Sequence, residues 1–424
     1  MNKSLVLYLL SYFFCLLSYS QKEDYTWLLG SGTLNQINFT ETDFSLSTLN
    51  PDSSLRIHIT NASLGDSSGN LLLFSGGTAI YDNLGNIIEN GDSINYGYFW
   101  EQSSVTPGTY RAVNGAMFIK SLSEDNSFLL LHLKGDTFVN INNYSGLGSE
   151  ISYTKVSTND LTVTEKNVSL VSDTLLNSGV TACRHGNGRD WWIMASEGGS
   201  NCYYTLLYSP DTIVQVHKQC LGVKSFYTDG GQSLFSPDGS LFIRGSVKDG
   251  VEIFDFDRCS GLLSNPRQIP ISELELSISN LAVGAVAVSS NNRFLYLISS
   301  ARILQYDLES EDILASQILI HNSDTATLQN YGFATSQIAP NGEIFISAGE
   351  QSKFHIIHQP DQVGVACNLE VKIPLLRPGS YGLPNFPNYR LGALTGSACD
   401  TLGVGIKELS TPIEILLNPN PAGT

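Results

Sequence analysis

The feature that most constrains the fold is a short polar turn followed by an apolar strand, which recurs seven times at intervals of 47 to 63 residues. The clearest copy lies in residues 180–194, where Gly186-Asn-Gly-Arg189 precedes the apolar run Trp191-Trp-Ile-Met194. Asp, Asn and Gly at such positions favour the tight turns of β-hairpins. Each copy therefore predicts a hairpin. The other six turns are residues 66–70, 123–126, 236–239, 289–292, 339–342 and 386–388.

The residues after the middle turns predict further strands. Residues 251–257, 302–308 and 354–358 alternate apolar and polar side chains, and residues 312–320 are suited to an outer strand. Four short antiparallel strands in about 50 residues are typical of a propeller blade. We therefore expect an all-β propeller, with seven blades of four antiparallel strands. Six or eight blades stay open as alternatives.

The last copy of the repeat has too few strands of its own. Residues 25–30 and 36–39 at the N-terminal end are suited to complete it. We expect the N- and C-terminal segments to close the ring together, because closure removes open sheet edges.

The net charge of the chain indicates which classes of partner it can bind. Only 15% of residues are charged, and the formal net charge is −17. An acidic surface repels phosphate backbones, so we expect no nucleic-acid partner. We expect a monomer that has a protein or a glycan as its partner.

The first twenty residues have the pattern of a signal peptide. Lys3 supplies the positive end, residues 5–17 are mostly apolar, and Ser18 and Ser20 suit cleavage before Gln21. No later segment has the pattern of a membrane-spanning helix. We expect residues 1–20 to be removed, residues 21–402 to form the propeller, residues 403–424 to form a tail, and the mature chain to be exported.

Six cysteines follow the predicted cleavage site, enough for three disulfides with fifteen possible connectivities. Cys202 and Cys220 flank a turn at residues 209–212, so a hairpin would place them opposite each other. Cys367 with Cys399 is a second pairing, with less local support. The cysteine spacing contains no CxxC pair and does not predict a zinc site.

Several stretches resemble secreted β-propeller proteins of Bacteroidetes. The most specific are residues 182–193 (ACRHGNGRDWWI) and 383–392 (LPNFPNYRLG). Residues 69–74, 235–239, 254–261 and 399–403 also match, so the resemblance extends over roughly residues 25 to 403. It implies a WD40-like or lactonase-like propeller.

Such proteins often carry a C-terminal sorting domain of the type IX secretion system. The stretch Asn418-Pro419-Asn420-Pro421 looks like the start of that domain, which normally continues for several dozen residues. The resemblance implies the type IX machinery as a partner and an extracellular or cell-surface location if the domain is complete. It implies the periplasm if the domain is absent.

Arg184, His185, Arg189 and Asp190 form the candidate ligand-binding cluster. A histidine, a carboxylate and two guanidinium groups near one turn could bind an anion or transfer protons. The alternative is structural, because Asp and Arg beside a tight Asn-Gly turn often bind backbone groups. Trp191 and Trp192 likewise suit either packing between blades or stacking on a sugar.

Two functions compete. The first is a secreted, non-catalytic propeller that presents loops to a protein or a glycan. It predicts no catalytic residue, metal or cofactor. The alternative is an extracellular hydrolase or lactonase-like enzyme, which predicts acids or histidines at the channel mouth, with a divalent metal among them. Residues 281–288 and 333–338, predicted inner strands, supply few acids and favour the first function.

Overall fold

A computed structural model describes the chain between residues 21 and 400, with several gaps. The described residues are 21–51, 55–104, 110, 112–122, 126–138, 146–210, 212–225, 231–246, 249–270, 283–299, 302–322, 334–348, 352–379 and 382–400. The predicted signal peptide, the tail and the sorting motif at residues 418–421 lie outside them.

The strands form seven antiparallel sheets, which we number as blades in chain order. The strands of blades 1 to 3, with the one short helix of blade 2, are β1 (Thr26–Ser31), β2 (Thr33–Phe39), β3 (Phe44–Leu49), β4 (Arg56–Ile57), β5 (Ala62–Gly65), β6 (Leu71–Ser75), β7 (Ile80–Asp82), α1 (Tyr98–Ser104), β8 (Ala116–Lys120), β9 (Ser127–Phe138), β10 (Gly146–Ser157) and β11 (Thr162–Leu175).

Blades 4 to 7 each contain four strands in sequential order. Two short 3₁₀ turns, Leu314–Ser316 and Gly364–Cys367, precede the outer strands of blades 6 and 7. The strands are β12 (Thr181–Arg184), β13 (Trp191–Ser196), β14 (Cys202–Ser209), β15 (Thr212–Cys220), β16 (Ser233–Phe235), β17 (Leu241–Ser246), β18 (Gly250–Asp257), β19 (Leu262–Pro270), β20 (Val283–Val288), β21 (Phe294–Ser299), β22 (Arg302–Asp307), β23 (Ile318–Asn322), β24 (Ser336–Ile338), β25 (Ile344–Ser347), β26 (Lys353–Ile357) and β27 (Leu369–Pro374).

The prediction of a seven-bladed all-β propeller is confirmed. Six sheets have four strands, and blade 2 has three among the described residues. Five of the seven predicted turns join the first and second strands of blades 2 and 4 to 7, and the turn at residues 123–126 lies mostly outside the described residues. The prediction was wrong for residues 386–388, which follow the last blade. Blade 7 already has four strands, and the N-terminal residues form a separate blade 1 with the order β3-β2-β1-β4.

Adjacent blades pack through apolar side chains of their middle strands. Where blade 7 meets blade 1, the ring of Trp27 lies edge-on to Phe345, with 5.4 Å between centroids. The first strands also approach one another directly. Between blades 3 and 4, the Val180 N–H donates to the Asn114 carbonyl at 3.0 Å. The ring is thus closed by packing between its first and last blades.

One ion pair is buried between blades 4 and 5. The guanidinium of Arg244 donates from Nε and Nη2 to Oε2 of Glu252, and the hydroxyl of Tyr203 donates to the same oxygen at 2.9 Å. Oε1 of Glu252 accepts the Val223 N–H. These hydrogen bonds offset the desolvation of the two charges.

His132 in blade 3 makes the stability depend on pH. Its Nδ1–H donates to Asn95 Oδ1 at 2.7 Å, and Nε2 accepts from Thr154 Oγ1 at 3.0 Å. Burial lowers its pKa from 6.5 to about 3. The unfolded chain then binds the proton more tightly, so stability falls as pH drops below 6.5. Lowering the pH from 7 to 5 is expected to cost about 2 kcal/mol through this group.

The measurement is urea unfolding at pH 7 and pH 5, for the wild type and for His132→Gln. Burial also lowers the pKa of His321, whereas Glu343 and Glu370 raise that of His358 against the opposing effect of burial. These groups are common to both proteins, so the difference between them isolates His132. An equal pH dependence in the two proteins would show that His132 titrates normally.

Candidate functional site

The axis of the propeller is crossed by residues 382–400, which we call the strap. The Asn385 side chain donates to the carbonyls of Val180 at 3.0 Å and Asn114 at 3.4 Å, next to the first strands of blades 4 and 3. The Asn388 side chain donates to the Pro237 carbonyl in blade 5 at 2.7 Å. The strap thus binds three consecutive blades, 3 to 5.

Further contacts extend to blades 1, 2 and 7. The Asn385 N–H donates to Asn61 O at 3.0 Å, and the Leu383 N–H donates to Thr335 Oγ1 at 2.9 Å. The Phe386 ring lies 5.8 Å from that of Trp27. Because these groups belong to blades 2, 7 and 1, the strap contacts six of the seven blades and fills part of the axial channel.

The strap leaves a cavity of about 240 Å³ on one side of the axis. Most of its lining comes from the first strands and following turns of blades 4 to 7 and from the strap, with Asp24 and Asn114 added from blades 1 and 3. The residues that give it its chemistry are Asp24, Gln232, Phe235, Ser236, Gln337, Phe386, Asn388 and Arg390. The cavity is thus a concave surface on which several blades and the strap converge.

Most polar groups in the cavity are uncharged. The Gln232 side chain bridges blades 5 and 7, accepting the Ser336 N–H at 3.1 Å and donating to the Ser336 carbonyl. Two charged side chains, Asp24 and Arg390, form a bidentate pair with both distances 2.7 Å. Burial would lower the pKa of Arg390, but its hydrogen bonds to Asp24 raise it overall. The pair neutralises itself at the edge of the cavity.

The four residues of the predicted ligand cluster lie beside the first turn of blade 4, where each binds other parts of the chain. Arg184 is buried, its guanidinium 3.8 Å from the centroid of the Trp191 ring, and burial lowers its pKa to about 10. His185 donates from Nε2 to the Cys259 carbonyl at 3.1 Å and accepts the Asn187 N–H on Nδ1 at 3.0 Å.

Asp190 closes the same turn. Its carboxylate accepts from Asn187 Nδ2 and Ser209 Oγ, each at 2.8 Å, and from Arg189 Nε. Burial would raise the pKa of Asp190, but these donors lower it overall. The Arg189 side chain is 41% exposed and is the member of the cluster that an external ligand could reach. The ligand role of the cluster stays a prediction.

Both glycines of this turn are needed because the strap passes over them. A Cβ on Gly186 would lie 2.4 Å from Cys399 Sγ, and one on Gly188 would lie 2.6 Å from the Ala393 nitrogen. Gly188 also has φ of +75°, which glycine adopts without strain. The turn in the RHGNGRDWW stretch is thus where the strap packs against blade 4.

The disulfides match the sequence prediction in one case. Cys202 and Cys220 are bonded across β14 and β15, as predicted. The pairing of Cys367 with Cys399 was wrong, since Cys399 is bonded to Cys259 in the turn between β18 and β19. The strap carries Cys399 to blade 5, whereas Cys367 is a buried free thiol in blade 7.

Residues 65–69 have the letters GxSxG of a hydrolase nucleophile turn. The structure places them in the hairpin between β5 and β6, where the Gly69 N–H donates to Asp66 O at 2.9 Å. A nucleophile elbow requires a turn from strand to helix. The match is therefore a hairpin turn.

The described residues contain neither a metal-binding cluster nor a membrane-spanning helix. None of their histidines, cysteines and carboxylates form a group of three or more able to hold a metal ion. No helix within the same ranges has the length and apolar character needed to cross a bilayer.

Comparison with known proteins agrees with the fold. No family model and no curated protein matches the chain. A candidate 6-phosphogluconolactonase from Bacteroides uniformis is similar over 84% of this chain and 98% of its own, with 12% identity and a TM-score of 0.51. The Dos1 propeller is similar over 86% and 84%, with 12% identity and a TM-score of 0.45. At 12% identity, the likeness to the first of these shows the fold alone. The strand order makes the protein a seven-bladed β-propeller.

Proposed function

We propose that this protein is a secreted, non-catalytic β-propeller that binds a glycan in the axial cavity. The observation that carries the proposal is the chemistry of the lining, in which amides and hydroxyls lie beside the rings of Phe235 and Phe386. Sugars present hydroxyls and apolar C–H faces, and aromatic rings and amides complement both. The same first strands also have one unpaired edge, where backbone groups face the channel.

The size of the cavity limits the ligand. Pockets for drug-sized molecules have volumes of about 300–1,000 Å³, and this one has about 240 Å³. One small sugar unit would fill it, and the rest of a chain would lie over the turns of blades 5 to 7. The cavity and the turns of blades 5 to 7 would thus bind the glycan, while the strap stabilises the ring of blades.

Export is part of the proposal. Two disulfides support it, because such bonds persist in oxidising compartments. Delivery by the type IX machinery, through residues 418–421, and a monomeric state are proposals of the same kind that rest on the sequence.

A glycan array probed with the purified protein tests the function, followed by calorimetry with the best ligand. Gln337 lines the cavity and is half-buried, and the one hydrogen bond described for its side chain, to Ile338 O, is 3.4 Å long. We expect Gln337→Ala to weaken binding about tenfold, the loss of one or two hydrogen bonds. Gln215→Ala, on the exposed strand β15, is the matched control and should bind as the wild type does.

The alternative enzyme predicts a different result. If the protein consumes the glycan or a lactone, released product would accumulate with time, and the non-catalytic proposal would be wrong. Wild-type affinity in Gln337→Ala would place the ligand elsewhere. No binding to any sugar on the array would reject the glycan and favour a protein partner.

A further inference from the structure

The strap consists of two parts that are held in different ways. The proximal strap, residues 382–390, is mostly buried, and its asparagines and Tyr389 bind the inner strands. The distal strap, residues 391–400, is mostly exposed, with residues 392–396 all at the surface. The proximal part therefore belongs to the core, whereas the distal part lies on the outside of the fold.

Few contacts hold the distal strap. The Leu394 N–H donates to Gly186 O at 2.7 Å, and Arg258 Nη2 donates to Gly392 O. The covalent contact is the Cys259–Cys399 disulfide, near the end of the described strap. Arg258 is buried, so its charge-assisted hydrogen bond adds to the attachment, whereas the Leu394 side chain that follows is exposed. The disulfide is the covalent part of this attachment, next to these two hydrogen bonds and the packing of Leu391.

The distal strap covers a buried thiol. Leu391 packs against the apolar cluster that contains Cys183 and Phe235, and all three line the cavity. Cys183 is 2% exposed, and burial raises its pKa to about 12. Leu391 is therefore one of the side chains that keep the thiol from solvent, and its departure with the distal strap would expose the side of Cys183 that lines the cavity.

We propose that the Cys259–Cys399 disulfide is a redox latch, whose cleavage releases the distal strap and opens the cavity beside blades 4 and 5. The proximal strap and the propeller stay in place. The consequence for ligand binding rests on the proposed glycan site, whereas the release of the strap does not.

The cleavage is two thiol–disulfide exchanges with an external dithiol. One thiolate of the dithiol attacks Sγ of Cys399, the bond between the two sulfurs breaks, and Cys259 leaves as a thiolate. The second thiolate of the dithiol displaces Cys399 from the mixed disulfide. The dithiol leaves oxidised as a disulfide, and both cysteine thiolates take up protons.

Alkylation of Cys183 by iodoacetamide, measured by peptide mass spectrometry on the native protein, reports the opening. In the variant Cys259→Ser/Cys399→Ser we expect at least a tenfold faster reaction at Cys183 than in the wild type. The matched control is Cys202→Ser/Cys220→Ser, which removes the disulfide of blade 4 without touching the strap. It should react at the wild-type rate.

Cys367 is an internal control within the same molecule. It is a free, fully buried thiol in blade 7, far along the chain from the latch, and it reacts only if that blade opens. Faster alkylation of Cys183 together with an unchanged alkylation rate at Cys367 supports the latch. If alkylation of both thiols were accelerated equally, the disulfide would hold the whole fold together. If the alkylation rate of Cys183 were unchanged, the hydrogen bonds would be enough to keep the distal strap in place. Either result overturns the proposal.

Wild-type protein reduced with dithiothreitol and then desalted into iodoacetamide gives a second test, which does not depend on a variant folding. It should show the same preference for Cys183 over Cys367. The best glycan from the array is then titrated into wild-type and latch-free protein. If the strap opens but neither protein binds a sugar, the latch stands and the proposed function fails. If the wild type binds a glycan but Cys183 stays protected in the protein without the latch, the proposed function stands and the latch fails.

Discussion

Replacing Glu252 with alanine is expected to lower the free energy of unfolding by about 3–5 kcal/mol, the usual cost of breaking a buried ion pair. The side chain is 2% exposed, and it accepts hydrogen bonds from Arg244, Tyr203 and the Val223 N–H. Its loss leaves a buried guanidinium whose remaining carboxylate, Asp249, lies 3.9 Å away. Urea unfolding at pH 7 measures the effect.

The control is an ion pair of similar length at the surface. Lys166 lies 3.0 Å from Asp92, which is 63% exposed, and Asp92→Ala should cost less than about 1 kcal/mol. The double variant Arg244→Met/Glu252→Leu should be less destabilised than Glu252→Ala, because it removes both charges. A cost for Glu252→Ala as small as that of Asp92→Ala would show that water reaches the pair.

Replacing Tyr389 with alanine is expected to cost about 3–5 kcal/mol, as for other large buried aromatic side chains. Tyr389 is 1% exposed, and its hydroxyl donates to Phe118 O at 2.6 Å. The ring lies edge-on to Trp191, 6.3 Å between centroids. Truncation would open a cavity where the proximal strap meets blades 3 and 4, and leave a buried carbonyl without this donor.

Leu394→Ala, on the exposed distal strap, is the matched control and should change stability by less than about 0.5 kcal/mol. Tyr389→Phe keeps the packing and should cost about 1–2 kcal/mol for the lost hydrogen bond. If Tyr389→Ala were tolerated as well as Leu394→Ala, the proximal strap would be a surface appendage. Chemical denaturation of the three variants decides between these outcomes.

The blades could be predicted because each depends on residues close together in the chain. The turn at residues 236–239, for example, closes through the Gly239 N–H donating to Ser236 O at 2.8 Å. Glycine or asparagine in such turns and alternation in the following strand are local signals. The Cys202–Cys220 pair was predictable for the same reason, since one hairpin places both cysteines opposite each other.

The candidate site was harder to predict. RHGNGRDWW gathers the side chains that catalysis uses, so the sequence directed attention to blade 4. The structure shows these groups engaged with backbone and with one another around a turn that receives the strap. The cavity has no comparable motif, because its lining comes in small pieces from six blades and the strap. The LPNFPNYRLG stretch was the available signal, but it was interpreted as a blade turn.

By itself, the sequence determined an all-β ring of about seven repeated units, because turn and strand preferences act between near neighbours. The tertiary structure decided what occupies the axis, which residues line the cavity and which cysteine joins Cys399. These depend on contacts such as Asn388 with Pro237, 151 residues apart, and Asn35 with Arg377, 342 residues apart. Closing the ring brings such groups together, and no local pattern encodes that distance.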